Sequence, residues 1–535
     1  MNIIYNDNII IGAGPAGLQL AYFFQKNSID YIILEKGESC ATFFSKFPHS
    51  SQLISINKKF TGNSNPEFNL RHDWNSLLND EGHLFKKYTD EYYPDSMYMY
   101  KYLNDFYKNN NFNIKFNTTV KIIDKNITEN SDYKYILTID KKENIKYYCK
   151  KLIIATGLSE PNIPKYSIKV EKKIYHYADF GEKFFQQTEN LKKYENKRLL
   201  IIGGGNSSYE LANILNKYCS SILILESNKD KSIVSHYAGD LRSINYPFLD
   251  TFYLKSLNAI DTLDAASRND ITITNNINGK KYEDKFILKI NGKNYYNNDS
   301  NIFDEVIYCT GWKFNNKIFN FDIALSIENK YPNTKYNYES VNNIDLYFIG
   351  SLMHIHDFKK SSGGFIHGFR YLIKFFTQIN YNLNLDKKIF KFNGNLHCYS
   401  ELCEHIMYRM NNSSSLYQMY GIMCDIFYYD KLKKEIIYIQ DLTLDYVINQ
   451  FANIPYVNVL QLNYGNKVYD IRQIGGFKKF DPIFLHPEII ILEHDNGKLD
   501  FKDKIILEEE LFANFSSKEH KDKLLRTLKG CPLIL

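Results

Sequence analysis

The 535-residue chain has eight cysteines, and no two of them stand in a C-x-x-C pair. A dithiol that relays electrons from a flavin needs two adjacent thiols, so this absence weighs against a dithiol reductase mechanism. Spacing for a metal is lacking as well. His397-Cys398 with Cys403-Glu404-His405 fits no common zinc pattern, and His354-Ile355-His356-Asp357 has no Cys or distant Glu to complete a ligand set. No metal site is expected. The formal net charge is only +5, without a concentrated basic stripe, which argues against nucleic acid as a partner. No apolar stretch approaches the roughly 20 residues of a membrane span. The first apolar run begins at Asn8, which leaves no room for a secretory leader, and Cys531 stands one place too early for a prenylation box. The expected compartment is the cytoplasm.

What is present is a pair of glycine-rich turns in matching context. Asn8–Ile11 runs into Gly12-Ala13-Gly14-Pro15-Ala16-Gly17, and Glu35 ends the next apolar run, Tyr31–Leu34. Arg198–Ile202 runs into Gly203-Gly204-Gly205-Asn206-Ser207-Ser208, and Glu226 ends Ile222–Leu225. Strand, glycine turn, helix, strand and acid is the pattern of a dinucleotide fold. The first glycine makes the tight turn. The second lets the backbone close on a pyrophosphate, and the third lets the helix approach the sheet. The helix beginning near Pro15 aims free N–H groups at the phosphates. The acid is placed to accept hydrogen bonds from the ribose hydroxyls. By the habit of two-dinucleotide flavoenzymes, in which the FAD half usually comes first, the first turn is expected to take FAD and the second NAD(P)H. Glu226 leans toward NADH because a carboxylate repels a 2′-phosphate, whereas Ser227, Lys229 and Lys231 could accept one.

Between the turns, residues 94–108 read as a helix, followed by short alternating strands. Leu152–Ile154 is a buried strand leaving through Thr156-Gly157, and Val306–Tyr308 leaves through Thr310-Gly311. Leu346–Phe348 runs into Gly350-Ser351, and Gly363-Gly364 precedes a further helix. These glycines, with Ser351, are expected at the flavin. Gly350 and Ser351 would meet its ribityl chain or pyrophosphate, and the helix start at Gly363-Gly364 its N1–O2 edge. The fold class is α/β, with two Rossmann-like domains and an α+β tail. The FAD domain falls in two segments, 1–165 and 291–390. The NAD(P) domain, 166–290, is inserted between the two Thr-Gly exits, and the tail covers 391–535. Helices are expected in the tail at about 399–410, 416–428 and 442–451.

The two turns and paired Thr-Gly exits resemble the flavin-containing monooxygenase and pyridine-nucleotide flavoprotein superfamily. Four segments give a narrower resemblance, to the FAD-dependent oxidoreductase domain-containing protein 2 family of endoplasmic-reticulum flavoproteins linked to protein degradation. They are Leu53–Gly62, Glu67–Leu77, His236–Arg242 and Ser362–Arg370. Ser415–Tyr420, Leu462–Gly465 and Phe484–Pro487 extend it into the tail. The resemblance implies an FAD oxidoreductase reduced by NAD(P)H. It also marks departures: Glu226-Ser227 stands where the family has Ser-Arg, and Ser351 where related reductases place an acid. Asn57 sits where related monooxygenases place an asparagine beside the flavin, which makes it the candidate catalytic residue. An Asn that merely caps a loop is the competing reading. Three functions stay open. One is an NAD(P)H-dependent FAD oxidoreductase and another a flavin monooxygenase. The third is a quality-control adaptor that binds FAD without turnover and takes a protein partner through 391–535.

Overall fold

The computed structural model describes residues 2–140, 145–164, 167–226, 260–264, 271–277, 280–281, 284–290, 293–294, 301–326, 328–391, 397–464, 485–507 and 514–530. Ser227, Lys229, Lys231, His236–Arg242, Gly465, Phe484 and Cys531 lie outside them.

Asn2–Ile11 forms the centre of a parallel sheet. It pairs with Ile32–Leu34 on one side and Ile145–Ile154 on the other, with Ile114–Lys115 and Leu346–Phe348 beyond. The strands are apolar on both faces because both faces are covered. Ile10, Ile33 and Ile153 pack toward helices Pro15–Lys26, Ser96–Asn110 and Ile366–Asn380. Their neighbours Ile9, Ile11, Leu34, Leu152 and Ile154 pack the opposite way, against Phe314, Phe319 and Ile323. The antiparallel hairpin Val120–Lys125 and Tyr135–Ile139 continues the sheet beside the first half of Ile145–Ile154. Helix Ser96–Asn110 lies close to its expected span. Asp95 caps it by accepting the Met97 amide at 2.7 Å, and Asn111, at φ 51°, ends it.

The insert carries its own parallel sheet, in the order Ile260–Asp264, Ser221–Glu226, Arg198–Ile202, Glu305–Tyr308 and Tyr175–His176. Leu199–Ile202 pairs residue for residue with Glu305–Tyr308. This pairing ties Glu305–Tyr308, beyond residue 290, to the sheet of the insert. The two chain crossings form a short ribbon of their own, Glu160–Pro161 against Trp312–Lys313.

The tail is built on a six-stranded antiparallel sheet ordered Lys387–Lys391, Glu435–Thr443, Met423–Asp430, Tyr456–Asn463, His486–Asp495 and Lys498–Ile506. Met423–Asp430 replaces the later part of the helix expected at 416–428, and helix Ser414–Gln418 covers only its start. Helices His397–Asn412 and Leu444–Gln450 stand near their expected places. One face of the sheet packs with Leu402, Ile406 and Leu524. The other face, with Ile426, Ile439, Leu442 and Val459, joins the core that contains Phe369, Leu372 and Phe376 of helix Ile366–Asn380. The tail thus shares a hydrophobic core with the domain built on Asn2–Ile11. Among the described residues, no helix is long and apolar enough to cross a membrane.

Candidate functional site

The two glycine turns lie at the C-terminal ends of the central strands of the two parallel sheets, where dinucleotides bind in such folds. In the first, Gly12 has φ +105° and its amide donates to the Leu34 carbonyl at 3.0 Å. A Cβ on Gly12 would come within 2.9 Å of the Ala155 carbonyl oxygen, and one on Gly17 within 2.1 Å of the Gly12 oxygen. Both glycines are imposed by the protein's own packing. Gly14 is different, because a Cβ there would meet no atom within 4 Å. It caps helix Pro15–Lys26 and faces open space, with Pro15 as the first helical residue. Glu35 is buried, and its carboxylate accepts the Ala13 amide on one oxygen and the Gly37 amide on the other, each at 2.7 Å.

The second turn repeats this division. A Cβ on Gly203 would lie 2.3 Å from the Cys309 oxygen, while one on Gly205 would meet nothing within 4 Å. Ser208 stands where the first turn has Gly17, and its hydroxyl donates back to the Gly203 carbonyl. Asn206 and Ser207 open helix Asn206–Leu215, which Gly205 caps. Glu226 is buried, accepts the Tyr209 hydroxyl and packs on Gly204. In both turns the second glycine alone faces outward, which is the geometry a pyrophosphate requires.

The Thr-Gly exits converge with these turns. Thr156-Gly157 follows the strand beside Gly12, and a Cβ on Gly157 would sit 3.2 Å from Ser351 Oγ. Gly350 has φ +73°, and a Cβ there would fall 2.5 Å from Ala16 Cβ. Gly12, Gly14, Ala16, Gly157, Gly350 and Ser351 therefore gather in a cradle at one mouth of the sheet. At the other exit the Thr310 hydroxyl donates to the Asn162 carbonyl, and the Asn162 amide donates to the Gly311 carbonyl at 3.0 Å.

Two of the expected positions are engaged within the protein itself. Gly363 does not offer its amide to a cofactor, because that N–H is held at 2.6 Å by Asp357 Oδ2. Gly364 packs on the His354 ring. The glycine pair thus lets the loop close over a buried histidine and carboxylate. Asn57 is buried, and its side-chain amide donates to the Thr89 and Glu91 carbonyls at 3.0 and 3.1 Å. Its donors are engaged in fixing a loop, while its buried Oδ1 has no hydrogen-bond partner among the described residues.

Sequence reading missed the junction between the flavin half and the insert. The His49 amide donates to the Tyr177 hydroxyl at 2.8 Å, and its ring meets the Tyr177 carbonyl at 3.0 Å. Phe47 stands edge-on to Trp312, with ring centroids 5.4 Å apart. Nearby, burial pushes the Glu210 carboxyl up to about 7, against the opposing pull of a hydrogen bond with Ser50. Also missed were Arg71, Arg370 and Arg409, all buried where the tail meets the FAD domain. Arginine is scarce beside lysine in this sequence, and that scarcity was an available signal. Cys40, Cys149, Cys219, Cys309, Cys403 and Cys424 are free, and burial pushes the Cys40 and Cys219 thiols up to about 12, far from the thiolate a redox dithiol needs.

Comparison with known proteins agrees with this architecture. The chain is 34% identical over 443 residues to FAD-dependent oxidoreductase domain-containing protein 2 of Mus musculus, across 79% of this chain and 64% of that protein. The counterpart from Danio rerio is 31% identical over 459 residues, with 78% and 64% covered. The chain therefore matches a little under two thirds of the length of these relatives. A mutant flavin monooxygenase from Stenotrophomonas maltophilia shares the fold at a TM-score of 0.50 and 16% identity, covering 71% of this chain and 99% of its own. The family model described as pyridine nucleotide-disulphide oxidoreductase matches residues 9–350, the span that holds both glycine turns and both Thr-Gly exits. The chain belongs to the pyridine nucleotide-disulphide oxidoreductase family of flavoproteins.

Proposed function

We propose that the protein is an FAD oxidoreductase reduced by NADH or NADPH, with FAD in the first cradle and the nicotinamide dinucleotide in the second. The observation that supports this is the shared asymmetry of the turns. In each, the first glycine is forced by packing while the second, Gly14 or Gly205, opens onto space. Bound FAD supplies the hydride-accepting ring. The chain supplies position: Gly14 and the start of helix Pro15–Lys26 hold the pyrophosphate. Glu35 fixes the turn that meets the ribose, and Gly157, Gly350 and Ser351 line the mouth of the sheet. Gly205 and helix Asn206–Leu215 hold the second pyrophosphate, with Asn206, Ser207, Ser208 and Glu226 shaping that turn. Thr156, Thr310 and Gly311 set the crossings between the domains. Hydride transfer needs the two rings brought together with water excluded and demands no side-chain acid or base.

Asn57, its amide already donated to two carbonyls, lends no support to the monooxygenase reading. The test is an anaerobic titration with NADH and, separately, NADPH, following the oxidised-flavin absorbance. Bleaching by either supports the reading and reports the preference at Glu226. A flavin that both leave oxidised rejects it in favour of a binding role without turnover.

A further inference from the structure

Behind the loop carrying Gly363 and Gly364 lies a buried pair that hydride transfer leaves idle. His354 is 5% exposed and Asp357 1%. Their Nδ1 and Oδ1 atoms are 2.9 Å apart. The second carboxylate oxygen of Asp357 accepts the Gly363 amide at 2.6 Å. Gly364 lies against the imidazole, where a Cβ would come within 2.8 Å of Cδ2. One carboxylate and one imidazole thus hold both glycines from behind.

This support is joined to the first cradle on two sides. His354 lies in the short helical segment Gly350–Ile355, and Gly350 touches Ala16. In the other direction the glycines lead into helix Ile366–Asn380, where the Phe365 and Gly368 amides are held by the Ser362 and Phe365 carbonyls and those of Ile366 and His367 open the helix. Such a helix start favours negative charge, whereas a carboxylate buried behind it opposes further negative charge. A flavin that takes up a hydride becomes one charge more negative. His354 is placed to answer that change. With its Nδ1–H donated to Asp357, Nε2 is the atom that can bind a proton.

We propose that His354 and Asp357 are positioning residues that form a proton-accepting pair, charging when the bound flavin is reduced, with Gly363-Gly364 as the link. The step balances. The hydride brings two electrons and one proton to the flavin, and solvent supplies one proton, which forms the new N–H bond on His354. The other titratable groups around the pair are Tyr331, edge-on to His354 at 6.1 Å, and Tyr338, which feels Asp357. Lys330 lies over Phe358 at 4.3 Å. His356 and Asp445 stand beyond, and His367 and Arg370 lie on the following helix. The proposal rests on FAD occupying the first cradle.

The test uses the full chain loaded with FAD. The flavin midpoint potential is measured against a reference dye from about pH 6 to about pH 8.5, with a chemical reductant in place of NAD(P)H. The wild type is expected to show a proton-uptake component in this window, seen as a steeper fall of potential with pH. Asp357→Asn keeps an oxygen for the Gly363 amide but removes the charge, and it is expected to lose that component while binding FAD normally. His354→Gln is expected to lose it as well. Identical pH slopes in all three proteins overturn the proposal, as does weaker FAD binding with an unchanged slope, which is the mark of a structural role alone. Absence of bound flavin in the wild type overturns it together with the cradle. The expected slopes with no bleaching by NAD(P)H sustain the pair and reject the nicotinamide reading.

Discussion

Arg409 and Asp425 form a buried two-pronged ion pair, Nε to Oδ2 at 2.6 Å and Nη2 to Oδ1 at 3.0 Å. The same guanidinium reaches Asp441 at 2.7 Å and, across the domain junction, Glu67 at 2.9 Å. Arg71 crosses in the other direction, donating to the Ser413 and Met410 carbonyls. Removing one partner of such a network leaves uncompensated buried charge and costs about 3–5 kcal/mol. Arg409→Ala is therefore expected to lower the urea midpoint and to release FAD in the same transition, because the tail and the flavin half share a core. Separate unfolding of the tail, with FAD retained, would contradict that coupling.

The same network sets an acid limit. Burial alone would raise the Asp441 carboxyl, but Arg409, Lys374 and Ser415 together hold it down at about 2. A carboxyl with a depressed folded pKa contributes stability that is complete above its unfolded value of about 3.9 and is lost as pH falls through about 2. Asp441→Asn should flatten the acid limb of a stability profile over that interval. An unchanged limb would assign acid unfolding to other carboxylates.

Gly14 and Gly350 test the cradle in opposite ways. A Cβ on Gly14 touches no protein atom, so Gly14→Ala should leave the melting temperature of the apoprotein within about 2 °C of wild type. Its methyl group would occupy the pyrophosphate side, and FAD affinity should fall at least about tenfold, or 1.4 kcal/mol. Gly350→Ala must place a Cβ 2.5 Å from Ala16 at a left-handed φ, which should destabilise the apoprotein itself by about 1–3 kcal/mol. If Gly14→Ala binds FAD like wild type, the first turn is not the phosphate site.

The glycine turns were legible in the sequence because their constraint is local. Gly12 and Gly17 touch backbone only a few residues away or on the adjacent strand, and a missing Cβ is visible in the residue identity. Met423–Asp430 was not legible. Ile426 packs toward the FAD-domain core and Phe427 toward the tail's own helices, so both faces are apolar and the run lacks alternation. The strand Glu305–Tyr308 finds its partner Arg198–Ile202 a hundred residues earlier, which no local pattern reports. His354 and Asp357 were visible as residues, but their contact with Gly363 depends on how a loop closes.

Glu210 makes the junction with the insert sensitive to pH. Its carboxyl is raised from 4.5 to about 7, chiefly by burial, beside Ser50 and close to Tyr177 and Cys309. The sign is opposite to that of Asp441. The folded protein holds a proton that the unfolded chain has already lost, so stability falls as pH rises from about 4.5 through about 7. Glu210→Gln should remove this decline and leave the protein more stable than wild type at about pH 8, read from urea unfolding at several pH values. Equal pH dependence in the two proteins would show that Glu210 ionises freely.

Asn57 separates oxygenase chemistry from loop support. Its side-chain amide satisfies the carbonyls of Thr89 and Glu91, and the Asn57 main-chain amide adds a bond to the Tyr92 carbonyl at 2.9 Å. Asn57→Ser keeps the main-chain bond but withdraws both side-chain donations, leaving two carbonyls short of a partner at a cost of about 1–3 kcal/mol. The expected outcome is a lower urea midpoint with an unchanged ratio of peroxide released to NAD(P)H consumed. An amide that shielded an oxygen adduct on the flavin would behave the other way, with stability retained and peroxide release rising when it is removed. The two measurements on one variant therefore decide whether this loop supports the cradle or takes part in oxygen chemistry.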